Sequence, residues 1–568
     1  MNITCLRFPV RFPVRFPVRS TVSLAVLCAA GLAQAQTVSL PNAGSVLNEL
    51  PSRPAPAPAA PLPKLGGVEN LKPPMKALPE GGKAIRVQRF EITGNRVIDT
   101  ATLRGQLGDG QGQELTLAGI EEVATRLTRY YRSRGYFVAR AYVPEQEVNE
   151  GVVTLRVVEG NYGRFILKNQ SRVRDDIVQA MLDDVKDADV VSLDTLERAM
   201  LIINDTPGAR VVRADVMPGQ AVGTSDFAVE TAAEPAHRGY VLADNHGSRY
   251  TGRERLSFNW DWNSPTGRGD RLSVSGLGAV NSDLLNARMA YSASLASNGW
   301  RGEVSAGRTT YQLGNSYGSL DAQGRANVFE VAATYPIIRT EARTLGLSLS
   351  ASHKDLRDEV RVVDTVTPKK TDALTAGLNL RDERVVLGFD GVTQGSVSLT
   401  TGRLNIRSDS ALQLDEADGG PHTDGSFNKL NLSVSRYSIL PAGFGLTTTI
   451  KHQTALGNKN LDSSERLSVA GSDAVMAYPS GELSGSDGTL LRLELSRALP
   501  SVLGLNHQWS VFSDVAQARA LKSEGFRTLS DIGLGWSASH PSGLVLKANL
   551  AYRLESAPAQ SENTGRGR

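Results

Sequence analysis

Two segments of this 568-residue sequence contain the residue types of known catalytic or metal-binding sites. Residues 314–318 read Gly-Asn-Ser-Tyr-Gly and match the Gly-x-Ser-x-Gly pattern of serine nucleophiles, which works only in a sharp strand-to-helix turn. The flanking residues here predict a turn between two strands. Residues 183–189 are acidic but lack the alternating ligands and the glycine of a calcium loop. We interpret the first segment as an ordinary turn and the second as the solvated end of a helix.

The other residue types that carry chemistry are scattered. Of the seven histidines, no two stand at metal-ligand spacing on a predicted helix. No Gly-x-x-x-x-Gly-Lys segment that would cradle a phosphate occurs. The net charge of +3 does not indicate affinity for nucleic acid. We therefore predict no enzymatic activity, no catalytic residue, no metal, no cofactor and no nucleic-acid partner.

The N-terminus has the pattern of an export signal. Residues 7–18 are three copies of Arg-Phe-Pro-Val, Thr21 to Leu32 are mostly apolar, and residues 33–35 fit the small-x-small cleavage rule. The alternative, a membrane anchor, would need an apolar run of about 20 residues. We predict a signal peptide at 1–35. Its removal would take away both cysteines, Cys5 and Cys28, and leave 58 basic and 59 acidic residues.

Two short segments follow the predicted signal peptide. Residues 36–50 include Pro41 to Leu50, which could form one short helix. Residues 51–83 form a proline-rich linker, with nine prolines between Pro51 and Glu80. This composition is typical of an extended, semi-rigid spacer that has no core of its own.

Residues 84–236 mix strands and helices in an order that occurs twice. Residues 85–92 alternate at period two, and the segment after Thr116 places its apolar residues at helical spacing. The predicted order is β-α-α-β-β over 84–160 and again over 161–236. This internal repeat of about 75 residues predicts two similar α+β modules.

Residues 237–554 contain all five tryptophans and about fifteen alternating segments of roughly ten residues. In residues 255–263 every second residue is apolar and the others are polar or charged. Strands of about 9–11 residues match a tilted bilayer crossing, and a barrel satisfies its backbone hydrogen bonds internally. The pattern favours a transmembrane antiparallel β-barrel. A secreted β-solenoid would show a tighter fixed repeat.

Residues 244–252, Asp-Asn-His-Gly-Ser-Arg-Tyr-Thr-Gly, and residues 263–270, Asn-Ser-Pro-Thr-Gly-Arg-Gly-Asp, resemble the opening strands of two-partner secretion transporters. These are the outer-membrane haemolysin and filamentous-haemagglutinin secretion/activation proteins. The order of segments agrees with this family. The resemblance implies a mainly β fold with two periplasmic POTRA domains, a plug helix within 36–50 and a barrel that has sixteen strands in the family. It also singles out the first-strand motif residues Asp244, Asn245, Gly247, Thr251 and Gly252.

Residues 467–488 resemble the family's long loop, which folds back into the barrel. The family has Val-Arg-Gly-Tyr at the loop tip, whereas this sequence has Val475, Met476, Ala477 and Tyr478. Relatives pair that arginine with the aspartate of a Phe-x-Asp-x-Gly motif on the barrel wall, and Phe512 and Asp514 match this motif here. Met476 cannot form the ion pair. Either the loop is not anchored as in relatives, or another basic residue compensates.

The last clear strand ends near Leu554, and the tail 555–568 is too polar to face lipid. The sequence therefore predicts about fifteen strands, so that a sixteenth is either missing or was not recognised.

The resemblance implies an outer-membrane pore that captures a large, unfolded partner protein of the adhesin or haemolysin type in the periplasm and secretes it. Outer-membrane lipid and the barrel-assembly machinery would be further partners. We expect capture by strand addition at sheet edges of the POTRA domains, with residues 152–158 and 225–230 as candidate edges. The alternatives are a barrel-assembly factor, which would usually carry a different number of POTRA domains, and a passive porin or receptor, which would need none.

Overall fold

The computed structural model describes residues 40–50, 61–68, 84–280 and 283–555 and the single residues 559, 561 and 567. The predicted signal peptide and most of the predicted linker lie outside the described residues. Within the described part of the chain, no helix is both long enough and apolar enough to cross a membrane.

The N-terminal half contains one isolated helix and two α+β modules. Its elements are α1 (Ala43–Glu49), β1 (Ile85–Arg86), β2 (Arg89–Thr93), α2 (Thr100–Arg104), β3 (Glu114–Leu115), α3 (Leu117–Ser133), β4 (Arg140–Tyr142), β5 (Val152–Val158), β6 (Asn161–Gln170), α4 (Asp175–Asp183), α5 (Leu193–Asp205), β7 (Ala209–Pro218) and β8 (Thr224–Ala233). The acidic run after α4 forms a short 3-10 helix, Asp184–Ala188.

Each module packs its helices on a three-stranded sheet. The strand orders are β2-β5-β4 and β6-β8-β7, and β2 pairs in parallel with β5 as β6 does with β8. Thr116 caps α3 and Ser192 caps α5, so both helices begin where the sequence offers a side-chain oxygen. This strand order corrects one prediction: residues 152–158 and 225–230 lie in central strands, not at sheet edges.

A buried carboxylate of the first module, Glu159, orders the segment whose Arg96 side chain reaches the second module. Glu159 accepts hydrogen bonds from the backbone N–H groups of Arg96 and Val97 at 2.7 and 2.9 Å and from the Tyr131 hydroxyl at 2.9 Å. The Arg96 guanidinium also reaches Asp189 of the second module at 2.7 Å. These contacts fix the first module against the second.

The C-terminal half is a 15-stranded antiparallel sheet whose ends are β9 and β25. Its strands are β9 (His237–Asp244), β10 (Arg255–Asn263), β11 (Arg271–Ala279), β12 (Leu285–Ser294), β13 (Arg301–Gln312), β14 (Ala322–Arg339), β15 (Arg343–Val360), β16 (Thr365–Asp382), β17 (Gly391–Ile406), β18 (Gly425–Leu440), β19 (Phe444–Ala455), β22 (Asp487–Ala498), β23 (Asn506–Arg519), β24 (Arg527–Ser539) and β25 (Val545–Arg553). Helix α6 (Asp409–Glu416) follows β17, and the short pair β20 (Leu467–Ser468) and β21 (Ser484–Gly485) lies between β19 and β22.

Alternation gives this barrel its two faces. In β10, Leu256, Phe258 and Trp260 are exposed on the outside, whereas Ser257 and Asn259 are buried on the inside. The longest strands, β14 to β16, have 18 residues each, more than the ten predicted. Period-two patterning in the sequence reveals the lipid-facing stretch, but these strands continue pairing beyond the length that a bilayer core requires.

The second module is fixed to the ends of barrel strands. Asp205, at the end of α5, accepts hydrogen bonds from Nε and Nη2 of Arg339, at 2.7 and 2.8 Å. Arg198 donates to the carbonyl oxygens of Pro336 and Asn298 at 2.7 and 3.2 Å. These contacts place the modules at the barrel end that carries the turns before β13 and β15.

Candidate functional site

Helix α1 lies inside the barrel. Asn42 and Ser45 form a reciprocal capping box at its start, which satisfies N–H groups that a helix end leaves free. Ala43 and Val46 are buried in an apolar cluster with Leu277, Tyr311 and other inner-wall side chains of β11 to β15. A short helix gains most of its stability from such packing. The residues predicted to form a plug helix at 36–50 thus include a helix, seven residues long, that occupies the lumen.

Opposite charges stand at the two ends of α1. At the start, the Asp358 carboxylate accepts hydrogen bonds from the Ala43 N–H at 2.7 Å and from the Tyr311 hydroxyl at 2.6 Å. At the end, Arg255 donates to the Glu49 carbonyl oxygen at 3.3 Å. An acid at a helix start and a base at a helix end both complement the free backbone groups there.

Helix α1 also rests on the loop between β19 and β22, residues 456–486, which we call the inward loop. The Asn48 amide donates to the carbonyl oxygens of Ser463 and Arg466, at 2.6 and 3.2 Å. A Cβ on Gly44 would lie only 2.4 Å from Ser463 Oγ and 2.6 Å from the Ser464 nitrogen. Glycine is therefore needed for this close contact.

Three lysines on the barrel wall, Lys354, Lys369 and Lys429, hold the first part of the inward loop. We call them the lysine cluster. Glu465 pairs with Lys354 at 2.6 Å and with Lys429 at 2.8 Å, and Asp462 pairs with Lys369 at 2.8 Å. Burial disfavours ionisation of both acids, but the lysines and hydrogen bonds outweigh it. The pKa values of Asp462 and Glu465 therefore lie below their ordinary values.

The tip of the inward loop contacts the opposite wall. Asp514 is fully buried and receives two hydrogen bonds from Arg492 on the adjacent strand, at 2.7 and 2.8 Å. Arg492 also donates to the Ala474 carbonyl oxygen at 2.9 Å. The sequence left open whether another basic residue compensates for the missing arginine, and in the structure Arg492 makes this ion pair. Met476, partly buried, packs against the apolar cluster around Phe512.

Four charged residues stand side by side on the inner wall: Arg492, Asp514, Asp531 and Arg553, which we call the charged row. Each is the cross-strand partner of the next, from β22 to β25. Asp531 accepts a hydrogen bond from the Ala477 N–H at 2.7 Å. The Arg553 guanidinium lies 5.4 Å from the centre of the Tyr478 ring.

Val475 and Tyr478 are buried, so every residue of the predicted tip meets the wall or the loop interior. The Tyr478 hydroxyl reaches Glu555 at 2.5 Å, in the segment predicted to be a polar tail. The charged row and its neighbours therefore hold the tip through backbone atoms and the tyrosine ring.

The predicted first-strand motif forms the turn after β9. Asp244 accepts from Arg255 Nε at 2.9 Å, and both side chains are almost fully buried. Gly247 must be glycine, because a Cβ there would lie 1.9 Å from the Gly252 oxygen. Thr251 is buried, and Asn245 lies within the same turn. Ser480 of the inward loop donates to the His246 carbonyl oxygen at 3.0 Å.

The structure thus brings together four predicted features: helix α1, the inward loop, the wall motif and the turn after β9. The Gly-x-Ser-x-Gly segment forms a 3-10 turn, Asn315–Leu320, between β13 and β14, and it packs on the turn after β9, where the Gly314 N–H donates to the Tyr250 carbonyl oxygen at 2.9 Å. Sequence reasoning missed the residues that hold the interior, namely Asp358, Arg255, the lysine cluster, Arg492, Asp531 and Arg553. Alternation could have assigned Arg492 to the inner face, but not its register opposite Asp514.

An antiparallel barrel with an apolar outer face, two α+β modules at one end and a helix and loop in its lumen defines a POTRA–β-barrel transport protein. Residues 223–538 match the family model described as haemolysin secretion/activation protein ShlB/FhaC/HecB, and residues 85–160 match a POTRA domain of ShlB type. The chain belongs to this haemolysin secretion/activation family. It is an outer-membrane transporter with periplasmic POTRA domains, and it secretes a large partner protein.

Individual relatives agree with this assignment. The heme/hemopexin transporter protein HuxB of Haemophilus influenzae is 28% identical over 526 residues, which cover 91% of this chain and 92% of that protein. The outer membrane transporter CdiB of Escherichia coli is 24% identical over 76% of this chain and 70% of its own length. The solved structure of CdiB from Escherichia coli has the same fold, with a TM-score of 0.69 at 20% identity, and covers 87% of this chain and 90% of that chain.

Proposed function

We propose that the lumen passes the partner as an extended chain and that α1 and the inward loop close it at rest. The observation that carries this proposal is the position of α1, held in the lumen between Asp358 and Arg255 and seated on the inward loop. A helix held by a few hydrogen bonds and a small apolar cluster can leave without unfolding the barrel wall. Folding of the partner outside the cell would then make transport directional without a nucleotide.

The POTRA domains would capture the partner before it enters the lumen. The outer strands of their sheets are β2 and β4 in the first domain and β6 and β7 in the second. Strand addition at such an edge uses backbone hydrogen bonds and so tolerates varied sequence. We therefore place capture at these four strands, in place of the central strands named from the sequence.

The finer identity of the partners also belongs to this proposal. The exposed apolar residues of the strands, such as Leu256 and Phe258, fit contact with outer-membrane lipid, and assembly machinery would insert the barrel. The partner is an adhesin-like or haemolysin-like protein. Because HuxB is named a heme/hemopexin transporter, a partner that binds haem or hemopexin is the first specific cargo to test.

The test takes a large exported protein encoded in a neighbouring reading frame as the candidate partner and measures its secretion. We expect its export to the surface with this chain and its retention in the periplasm without it. A chain that lacks residues 84–236 should still form heat-modifiable barrels but should not secrete. Unchanged export by that deletion would refute capture by the POTRA domains, and unchanged export without the chain would refute the transporter function itself.

A further inference from the structure

The described part of the linker, residues 61–68, lies along β7, the outer strand of the second POTRA sheet. The Gly66 N–H donates to the Ala214 carbonyl oxygen at 2.9 Å, and the Val216 N–H donates to the Gly66 carbonyl oxygen at 3.0 Å. Gly66 and Asp215 form a parallel β-bridge. The linker therefore adds one rung of sheet to the side of β7 that faces away from β8.

Apolar side chains of the same segment cover the module's core. Leu62, Leu65 and Val68 pack against the cluster that the helices and sheet of the second POTRA domain share. The Leu62 N–H also donates to the Glu341 carboxylate, in the barrel turn before β15, at 2.6 Å. The edge of β7 and this apolar surface thus form a groove that accepts an extended chain carrying apolar side chains.

We propose that this groove is a binding site for an extended, apolar segment of the secreted partner, and that the linker is its resident occupant until the partner displaces it. The proposal rests on the transport function proposed above and assigns one of its four candidate edges. Of these four strands, β7 already binds an extended chain in the structure. The backbone hydrogen bonds involved are of the kind that a partner strand would form.

The linker is built to be a weak occupant of this site. A Cβ on Gly67 would lie 2.3 Å from the Val216 oxygen, and its φ of +77° is a conformation that favours glycine. This backbone leaves the extended conformation directly after the Gly66 rung, so the pairing stops there. A partner strand without such a glycine can continue along β7, which has ten residues. More rungs favour the partner over the linker.

The first experiment locks the linker in place. The chain has only Cys5 and Cys28, both in the predicted signal peptide, so the double variant Gly66→Cys with Asp215→Cys introduces a unique pair. A Cβ on Gly66 would lie 3.4 Å from Asp215 Cγ, so the two side chains point toward each other, as a disulfide requires. We expect oxidation to lower binding and secretion of the neighbouring exported protein at least about tenfold, since a tethered competitor cannot leave. A reductant should restore both.

The single cysteine variants are the controls, and they also report the loss of the ion pair between Asp215 and Arg213. Failure of the two cysteines to cross-link would show that the linker does not occupy β7. Equal secretion by the oxidised and the reduced protein would overturn the displacement model. If the reduced and the unaltered protein both fail to secrete, the transport function itself is wrong.

A second variant tests the site without secretion. Leu65→Asp with Val68→Asp should expel the linker from the groove and speed hydrogen exchange of the Val216 amide. Binding of the purified N-terminal fragment of the neighbouring exported protein should tighten, because the competitor is gone, and should slow that exchange again. If this variant binds the fragment no more tightly than the unaltered protein, the proposal is contradicted. Heat-modifiable migration serves as the control that its barrel is intact.

Discussion

Arg492 and Asp514 face each other across β22 and β23, and the guanidinium donates to both carboxylate oxygens. The same arginine holds the Ala474 carbonyl oxygen of the inward loop. We infer that the loop is anchored by a cation of the wall acting on a backbone oxygen, where relatives use a cation of the loop. Such an anchor depends little on the side chain at position 476.

Replacement of Asp514 should free the loop tip. Asp514→Asn leaves Arg492 without its counter-charge in a buried position, and breaking a buried ion pair costs about 3–5 kcal/mol. We expect a lower temperature for the heat-modifiable transition and faster protease cleavage within 467–486. Arg497→Lys, on the neighbouring strand β22 and away from the loop, is the control and should behave like the unaltered protein. A variant that resists heat and protease equally would show that this pair does not anchor the loop.

Removal of the acid at the start of α1 should open the lumen more often. Asp358→Ala leaves the Ala43 N–H and the Tyr311 hydroxyl without their acceptor, at a cost of about 1–3 kcal/mol. This corresponds to a roughly five- to hundredfold shift toward the open state. Single-channel currents in planar bilayers measure it. The control is Asp355→Ala on the other face of β15, and equal open times in the two variants would contradict the model.

The contact between α1 and the inward loop gives a steric test. Gly44→Ala places a Cβ 2.4 Å from Ser463 Oγ and against the Ser464 backbone, so the helix must move off its seat. We expect more frequent open-channel events and easier proteolysis of residues 40–50. Gly318→Ala puts the same methyl group where no atom lies within 4 Å and should change neither readout. Closed channels in Gly44→Ala would show that the loop does not seat the helix.

The ion pairs between the lysine cluster and the inward loop determine how the loop anchor responds to pH. The pKa values of Asp462 and Glu465 lie below their ordinary values of 3.8 and 4.5. The stability that these carboxylates give to the anchored loop is therefore complete above pH 3.8 and 4.5, and it is lost as the pH falls through the lowered pKa values. These ion pairs should therefore persist between about pH 8 and 5 and be lost only in stronger acid, where the channel currents that they suppress should rise. Glu465→Gln should raise them already at neutral pH, whereas Glu383→Gln, in an exposed turn, should not. Equal currents in Glu465→Gln and in the unaltered protein at neutral pH would rule out these ion pairs as the anchor.

Local patterns predicted the elements of this protein well. The helical spacing after Thr116 indicated a helix there, and α3 runs from Leu117 to Ser133. Period two indicated the barrel strands, because every strand has one apolar and one polar face. These signals act within a few residues and need no knowledge of the neighbouring strand.

The order of strands and the contents of the lumen could not be predicted in this way. β5 is central because it pairs in parallel with β2, a contact between residues about 60 positions apart that no local pattern encodes. In the same way, Asp358 contacts Ala43 only because a helix from the N-terminus enters the lumen. The residues 51–60 and 69–83 of the predicted linker lie outside the described structure.

The seat of the linker on β7 determines how far α1 can travel. With residues 61–68 bound to the second POTRA domain, only residues 51–60 connect α1 to that domain, and they span at most about 35 Å. When residues 61–68 are displaced, the connecting segment extends from residue 51 to residue 83 and spans up to about 110 Å. A partner that binds to the β7 edge and displaces the linker thereby lengthens this connecting segment about threefold. Helix α1 could then leave the lumen only after the secreted partner has bound to the second POTRA domain.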